Sequence, residues 1–104
     1  MKTEVETKSS TIPKMEVISS GDFLKVLQVT GEAGMSMPLH YCTHEACVVV
    51  EKGKSVLHLE NQNLPLQTGD SYVIPSGLPH NLEMLEEFKA KVIMARESEI
   101  KFCS

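Results

Sequence analysis

The chain has no tryptophan, two tyrosines and three phenylalanines. A site that binds sugars or bases by aromatic stacking is therefore not expected. Basic residues are also few, since ten Lys and Arg stand against fourteen Asp and Glu among 104 residues, a formal net charge of −4. This balance disfavours nucleic acid as a partner, because proteins that bind it carry a basic face. No apolar run approaches the roughly 20 residues of a membrane-spanning helix, so we expect no membrane association.

Cysteine is scarce and irregularly spaced. Cys42, Cys47 and Cys103 are an odd number and form no CxxC pair, which argues against a disulfide framework. Free thiols are typical of a reducing compartment, so we expect a cytoplasmic location. Residues 1–13 are polar and lack the apolar stretch of a secretory signal. We expect them to be a flexible tail or an edge strand, and residues 14–104 to be one barrel domain.

Short alternating apolar segments, separated by Gly, Pro, Asn and Asp, predict about eight antiparallel β-strands. The segments are 14–19, 23–29, 47–50, 55–60, 64–66, 71–74, 80–84 and 88–95. Residues 82–91 contain good helix formers, but Phe88, Ala90 and Val92 alternate as in a strand. The predicted fold class is therefore all-β, a sandwich or a barrel.

Two segments carry turn residues and a histidine at fixed spacings. They contain Gly34, His40 and Gly53 in the first segment, and Gly69, Pro75, Gly77 and His80 in the second. These residues resemble the two motifs of the cupin family, and the resemblance covers about residues 23–95. It implies a double-stranded β-helix, the jelly-roll barrel.

The resemblance also implies where a metal ion would be held. The family's ligand positions, in chain order, are here occupied by His40, Cys42, Ala46 and His80. Because Ala46 has no donor atom, the set of two histidines and a carboxylate that binds non-haem iron is incomplete. The candidate ligands are His40, Cys42 and His80, with His44 as a further candidate if the strand bends at Thr43. The expected cofactor is a divalent transition metal (Zn, Ni, Cu or Fe), and the alternative is an empty or water-filled pocket.

Other residues have a structural and a functional interpretation. Four methionines either line a soft apolar pocket or fill the core: Met35, Met37, Met84 and Met94. His58 lies opposite Leu57 and Leu59 in its predicted strand, so it is expected at the surface. No Gly-rich phosphate loop and no GxSxG motif occurs.

Three functions are compatible with this sequence. The first is a barrel that binds a small organic molecule, a metal ion or both. The second is a small metal-dependent enzyme of the dioxygenase, isomerase or lyase type that uses His40 and His80. The third is a structural or oligomerisation barrel with a vestigial pocket. The fold alone does not choose between them. A homodimer is expected, because a single small barrel leaves sheet edges to be covered.

Overall fold

The computed structural model describes residues 12–103, and within them it contains ten β-strands and no helix. The strands are β1 (Lys14–Ser20), β2 (Leu24–Gly31), β3 (Ser36–Cys42), β4 (Ala46–Lys52), β5 (Lys54–His58), β6 (Asn63–Gln67), β7 (Ser71–Ile74), β8 (His80–Met84), β9 (Phe88–Ala95) and β10 (Ile100–Phe102). This confirms the predicted all-β class. Each of the eight predicted segments contains a strand, and the two additional strands are β3 and β10. The predicted tail lies outside the described residues except for 12 and 13, so it stays a prediction.

The strands form two five-stranded antiparallel sheets, in the orders β1-β2-β9-β4-β7 and β10-β3-β8-β5-β6. Apart from the hairpins β1–β2 and β5–β6, consecutive strands alternate between the two sheets. This alternation is the double-stranded β-helix, or jelly roll, that the motifs predict. In the described part of the chain no helix is long and apolar enough to cross a membrane.

The core lies between the sheets and is built from every second residue of the inner strands. In β4, Ala46, Val48 and Val50 are buried while the residues between them are not. In β9, Phe88 and Ala90 point inward in the same way, at 1% and 0% exposure. Period-two burial is the mark of a strand with one face on the core, so the alternation in 88–94 predicts the structure better than the helix formers around it.

Candidate functional site

Two histidines lie side by side on neighbouring strands inside the barrel. His40 of β3 is directly opposite His80 of β8 in the register of the second sheet. Their ring centroids are 4.3 Å apart, with the planes inclined at 61°. Both side chains are buried, at 7% and 3% exposure. The two motifs therefore bring one histidine each to a single point in the barrel interior.

Each ring is anchored to the backbone two residues upstream. His40 Nδ1 lies 2.7 Å from the carbonyl oxygen of Pro38, and His80 Nδ1 lies 2.8 Å from that of Leu78. A carbonyl oxygen can only accept a hydrogen bond, so in a neutral ring Nδ1 carries the proton and Nε2 bears a lone pair. Within residues 12–103, neither Nε2 atom has a hydrogen-bond partner. The site therefore presents two acceptor nitrogens.

Burial keeps both rings neutral. It lowers the pKa of His40 below the ordinary value of 6.5, against the opposing effect of the hydrogen bond to Pro38. It lowers the pKa of His80 as well, and the neighbouring His40 lowers it further because two imidazolium charges would repel each other. At neutral pH the pair can therefore accept a proton, a hydrogen bond or a metal ion at Nε2.

The two rings line a cavity of about 50 Å³ between the sheets. Besides the imidazoles, its wall consists of the Cys42 thiol and of aliphatic and thioether side chains: Met15, Val29, Met37, Ala46, Val48, Leu57, Ile74, Leu82, Val92, Met94 and Ile100. One water molecule needs roughly 10–15 Å³ on this measure. The cavity thus holds an ion or a molecule of a few non-hydrogen atoms, in surroundings without a carboxylate.

Cys42 lies on the same face of β3 as His40, two residues further along, and is 5% exposed. Burial raises the pKa of its thiol, and the positive charge of Lys25 opposes this effect. The Lys25 ammonium itself donates a hydrogen bond to the Ser98 carbonyl oxygen, at 2.9 Å. The predicted candidates His40, Cys42 and His80 therefore share one cavity.

His44 does not join them. The turn after β3 is held at Thr43, whose backbone N–H donates to the Glu99 carbonyl and whose hydroxyl accepts from the Glu99 N–H. The His44 side chain is 44% exposed and lies in an outer groove with Leu24 and Val73. The bend at Thr43 thus directs His44 away from the other three candidate ligands.

Comparison with known proteins identifies the family. The sequence profile described as the cupin domain matches residues 27–96, about two thirds of the chain. The chain belongs to the cupin family. No curated protein sequence matches it.

Solved structures resemble this one in fold. A cupin-2 domain containing protein from Shewanella frigidimarina has 24% identity and a TM-score of 0.72, with 92% of this chain and 93% of that chain covered. KdgF from Halomonas sp. has 20% identity and a TM-score of 0.75, with 82% of this chain and 81% of that chain covered. The DMSP lyase DddQ from Ruegeria pomeroyi has 22% identity and a TM-score of 0.78, but 88% of this chain spans only 51% of that enzyme.

The metal set of the family does not fit this cupin. Its carboxylate position is Ala46, a buried methyl group in the cavity wall. Across residues 12–103, no three or more His, Cys, Asp and Glu side chains are grouped so as to hold one ion. The two imidazole rings are in edge-to-face contact. We therefore derive no chemical step through a metal ion, and a divalent cofactor stays a prediction.

Sequence reasoning left out part of the cavity wall. Of the four methionines considered, Met37 and Met94 line the cavity, whereas Met35 and Met84 pack in the core away from it. Met15 of β1 also lines the cavity. In the structure, six of the seven residues of β1 are exposed. The sequence of this strand alternates only weakly, so it did not indicate that the Met15 side chain points inward. His58 lies at the surface as expected, bonded to Asn63 and Glu83.

Proposed function

We propose that this cupin binds a small molecule in its barrel, and that the Nε2 atoms of His40 and His80 hold the occupant. The observation that carries the proposal is the pair of backbone hydrogen bonds from Nδ1. They fix which nitrogen of each ring is protonated, and they orient both rings before anything binds. The two rings line a cavity with room for a small occupant, and a nitrogen lone pair in largely apolar surroundings is stabilised by a partner that donates a hydrogen bond to it.

The chemistry of the wall defines the occupant. The two nitrogens accept hydrogen bonds and cannot donate, so an organic ligand must bring its own N–H or O–H group. The remaining wall is apolar except for the thiol, and therefore suits a short aliphatic body. With about 50 Å³ available, the ligand is a small alcohol, amide or protonated acid of a few non-hydrogen atoms.

A metal ion on the same two nitrogens is the second candidate occupant. Histidines that ligate metals characteristically donate their other ring N–H to a backbone carbonyl or carboxylate, which is what His40 and His80 do. If this cupin has a metal-dependent activity, the metal ion would be the one held by the Nε2 atoms of His40 and His80. The neighbouring structures named as a lyase and as KdgF are less than 25% identical to this chain, so they support its fold and supply no reaction.

Nitrogen NMR of the histidine side chains tests the proposal directly. In the apo protein at pH 7.5, long-range ¹H–¹⁵N spectra should show His40 and His80 as Nδ1–H tautomers with unprotonated Nε2. Titration with a panel of alcohols and amides of two to five non-hydrogen atoms should shift the two Nε2 resonances. His58, at the surface, is the internal control and should not move.

The matched variants are His80→Leu and His58→Gln. We expect His80→Leu to abolish the ligand-induced shifts and the rise in melting temperature that a ligand of the native state produces. The His58→Gln variant should keep both. Ligand binding that survives in His80→Leu, or Nε2 atoms that are protonated in the apo protein, would refute the proposal.

A further inference from the structure

The outer face of the first sheet carries an apolar row that crosses four strands. Val26 of β2 lies opposite Ile93 of β9. Ile93 in turn lies opposite Cys47 of β4, and Cys47 lies opposite Val73 of β7. All four alternate with buried core residues along their strands, so their side chains point away from the barrel interior. Val73 is 52% exposed, and so is 56% of Leu24, which adjoins the row on the same face of β2.

Such a row is unusual for a sheet whose other face already packs on the core. An antiparallel sheet with one face in water normally carries polar residues on that face. The second sheet follows this rule, because Asn63, His58 and Asn81 form a polar row across its outer face. Contiguous apolar patches rimmed by polar residues mark sites of interaction with other proteins. The apolar row of the first sheet is therefore suited to contact a protein surface.

Exposed charges of opposite sign lie on the two sides of this row. Lys89 precedes the row on β9, whereas Glu97 follows it just beyond the end of that strand, and both are exposed. Glu45, also exposed, lies on the same side of the row as Glu97, immediately before β4. Lys91 is already bonded to Glu51 at 2.7 Å. Across residues 12–103, neither Lys89 nor Glu45 takes part in an ion pair, so both charges are available to a partner.

A second copy of the chain matches both the row and its charges. If two first sheets pack face to face about a twofold axis that runs along the row, each residue of the row meets its own copy. Lys89 and Glu97 lie four residues before and four residues after Ile93. The same axis therefore places Lys89 of each protomer over the partner's Glu97. An axis along the strands would instead bring the Lys89 sides of the two protomers together, and like charges would repel.

We propose that the apolar row is the centre of a homodimer interface, in which two first sheets pack face to face about an axis along the row. The row forms an apolar centre, and the pairs of Lys89 with the partner's Glu97 form a polar rim, as is typical of protein interfaces. The proposal is independent of what occupies the barrel, because the row lies on the face of the sheet that points away from His40 and His80.

Val73→Lys is the first test, because Val73 lies on the proposed axis and is half exposed in a single chain. The variant places a lysine against its own copy. In sedimentation velocity over a dilution series, the parent should be a dimer, and the variant should associate at least about tenfold more weakly because like charges face each other. The matched controls are Leu39→Lys in β3 and Val17→Lys in β1, which change exposed apolar residues elsewhere. Both should associate as tightly as the parent, and circular dichroism verifies the fold of every variant.

Charge reversal tests the direction of the axis. Lys89→Glu and Glu97→Lys should each weaken the dimer, because each leaves two like charges facing each other. The double variant exchanges the two charges and should restore the association of the parent. Both residues are exposed, so neither change is expected to disturb folding.

Cys47 also lies on the proposed axis and provides a distance probe. Packed sheets are about 10 Å apart, a separation that a short bismaleimide can bridge and a disulfide cannot. In the variant Cys103→Ser, the remaining thiols are Cys47 and the buried Cys42. The bismaleimide should link two chains of this variant, and the additional change Cys47→Ser should abolish the link.

Several results would overturn the proposal. A parent protein that is a monomer at micromolar concentration has no such interface. A dimer that Val73→Lys leaves intact, or that Val17→Lys or Leu39→Lys dissociates, uses a sheet edge or the second sheet instead. A double charge-reversal variant that associates no more tightly than the single variants would show that Lys89 does not face the partner's Glu97.

Discussion

Replacing Gly53 by alanine should cost much more stability than the same change at Gly69. Both glycines have a positive backbone angle, with φ of 91° and 94°, a region that an L side chain rarely adopts. They differ in their surroundings. A Cβ atom at Gly69 would meet nothing within 4 Å, whereas one at Gly53 would overlap the Glu87 carbonyl oxygen in the turn between β8 and β9.

The expected loss of stability is the sum of two costs, the strained backbone angle and the overlap of the new Cβ atom with its neighbours. Alanine in the left-handed region costs roughly 1–2 kcal/mol, and this is the loss expected at Gly69. At Gly53 the new atom also lies 3.2 Å from the Cα of Phe88, whose buried ring anchors the core. Moving such packed atoms adds about 1–3 kcal/mol, so the total is about 2–5 kcal/mol. A domain of this kind is stable by only about 5–15 kcal/mol.

Urea denaturation of the parent and the two variants measures the difference. Alanine restricts the unfolded chain by the same amount at both positions, so this contribution cancels when the variants are compared. We expect Gly53→Ala to have the lower midpoint, with a difference of about 1–3 kcal/mol in the free energy of unfolding. Equal losses at the two positions would show that the contact with Glu87 is not rigid, and would refute this reasoning.

Three further predictions concern the core, a surface histidine and the assembly. Phe88→Ala should lower the free energy of unfolding by about 3–5 kcal/mol, whereas Phe23→Ala, at a residue 83% exposed, should change it by less than about 0.5 kcal/mol; similar losses in urea denaturation would contradict the assigned core. Hydrogen bonds that His58 donates to the Glu83 carboxylate and then to the Asn63 side-chain oxygen raise its pKa above 6.5, so the stabilising effect of His58 is present below pH 6.5 and is lost as the pH rises through the raised value. The stability advantage of the parent over His58→Gln should therefore shrink between pH 6 and 8, and an advantage that grows would reverse the sign of the argument. Light scattering should give twice the chain mass of 11.5 kDa, since we propose a homodimer, and a monomer at micromolar concentration would exclude it.

Much of the fold could be predicted because its strands obey simple rules. Eight segments alternate and are bounded by turn residues, and all eight contain strands. The strand β3 was harder to predict, because Pro38 interrupts its pattern and its pairing with β8 shifts register between Met37 and His40. The strand β10 has three residues, which is too short for a periodic signal. β3 is a strand because it pairs with β8, and β10 is a strand because it pairs with β3. A local sequence pattern does not encode such pairing.

The proximity of His40, Cys42 and His80 could be predicted from the sequence, and the detailed geometry around them could not; their role as a site stays a prediction. The motif positions of His40 and His80 and the strand parity of Cys42 predict one shared cavity, and the structure has it. The direction of His44 depends on how the turn at Thr43 is held by Glu99, 56 residues away in sequence. The ring tautomers depend on side-chain torsions that bring Nδ1 to a carbonyl. Contacts of this kind arise only when distant segments have packed.

The backbone anchors of the two histidines limit what this barrel can bind. Each Nδ1–H donates a hydrogen bond to a carbonyl oxygen two residues upstream. A neutral ring therefore offers Nε2 as an acceptor to an occupant of the cavity, and it offers no donor. An anion would face two lone pairs in an apolar wall, and burial opposes protonation of either ring. Among residues 12–103, no ammonium group lines the cavity, and the nearby Lys25 donates a hydrogen bond to the Ser98 carbonyl oxygen. On the proposed function, the expected occupant is therefore a neutral hydrogen-bond donor or a cation, and ionised carboxylates and phosphates are expected not to bind at neutral pH. An ionised carboxylate that bound at the two Nε2 atoms at pH 7.5 would show that this expectation is wrong.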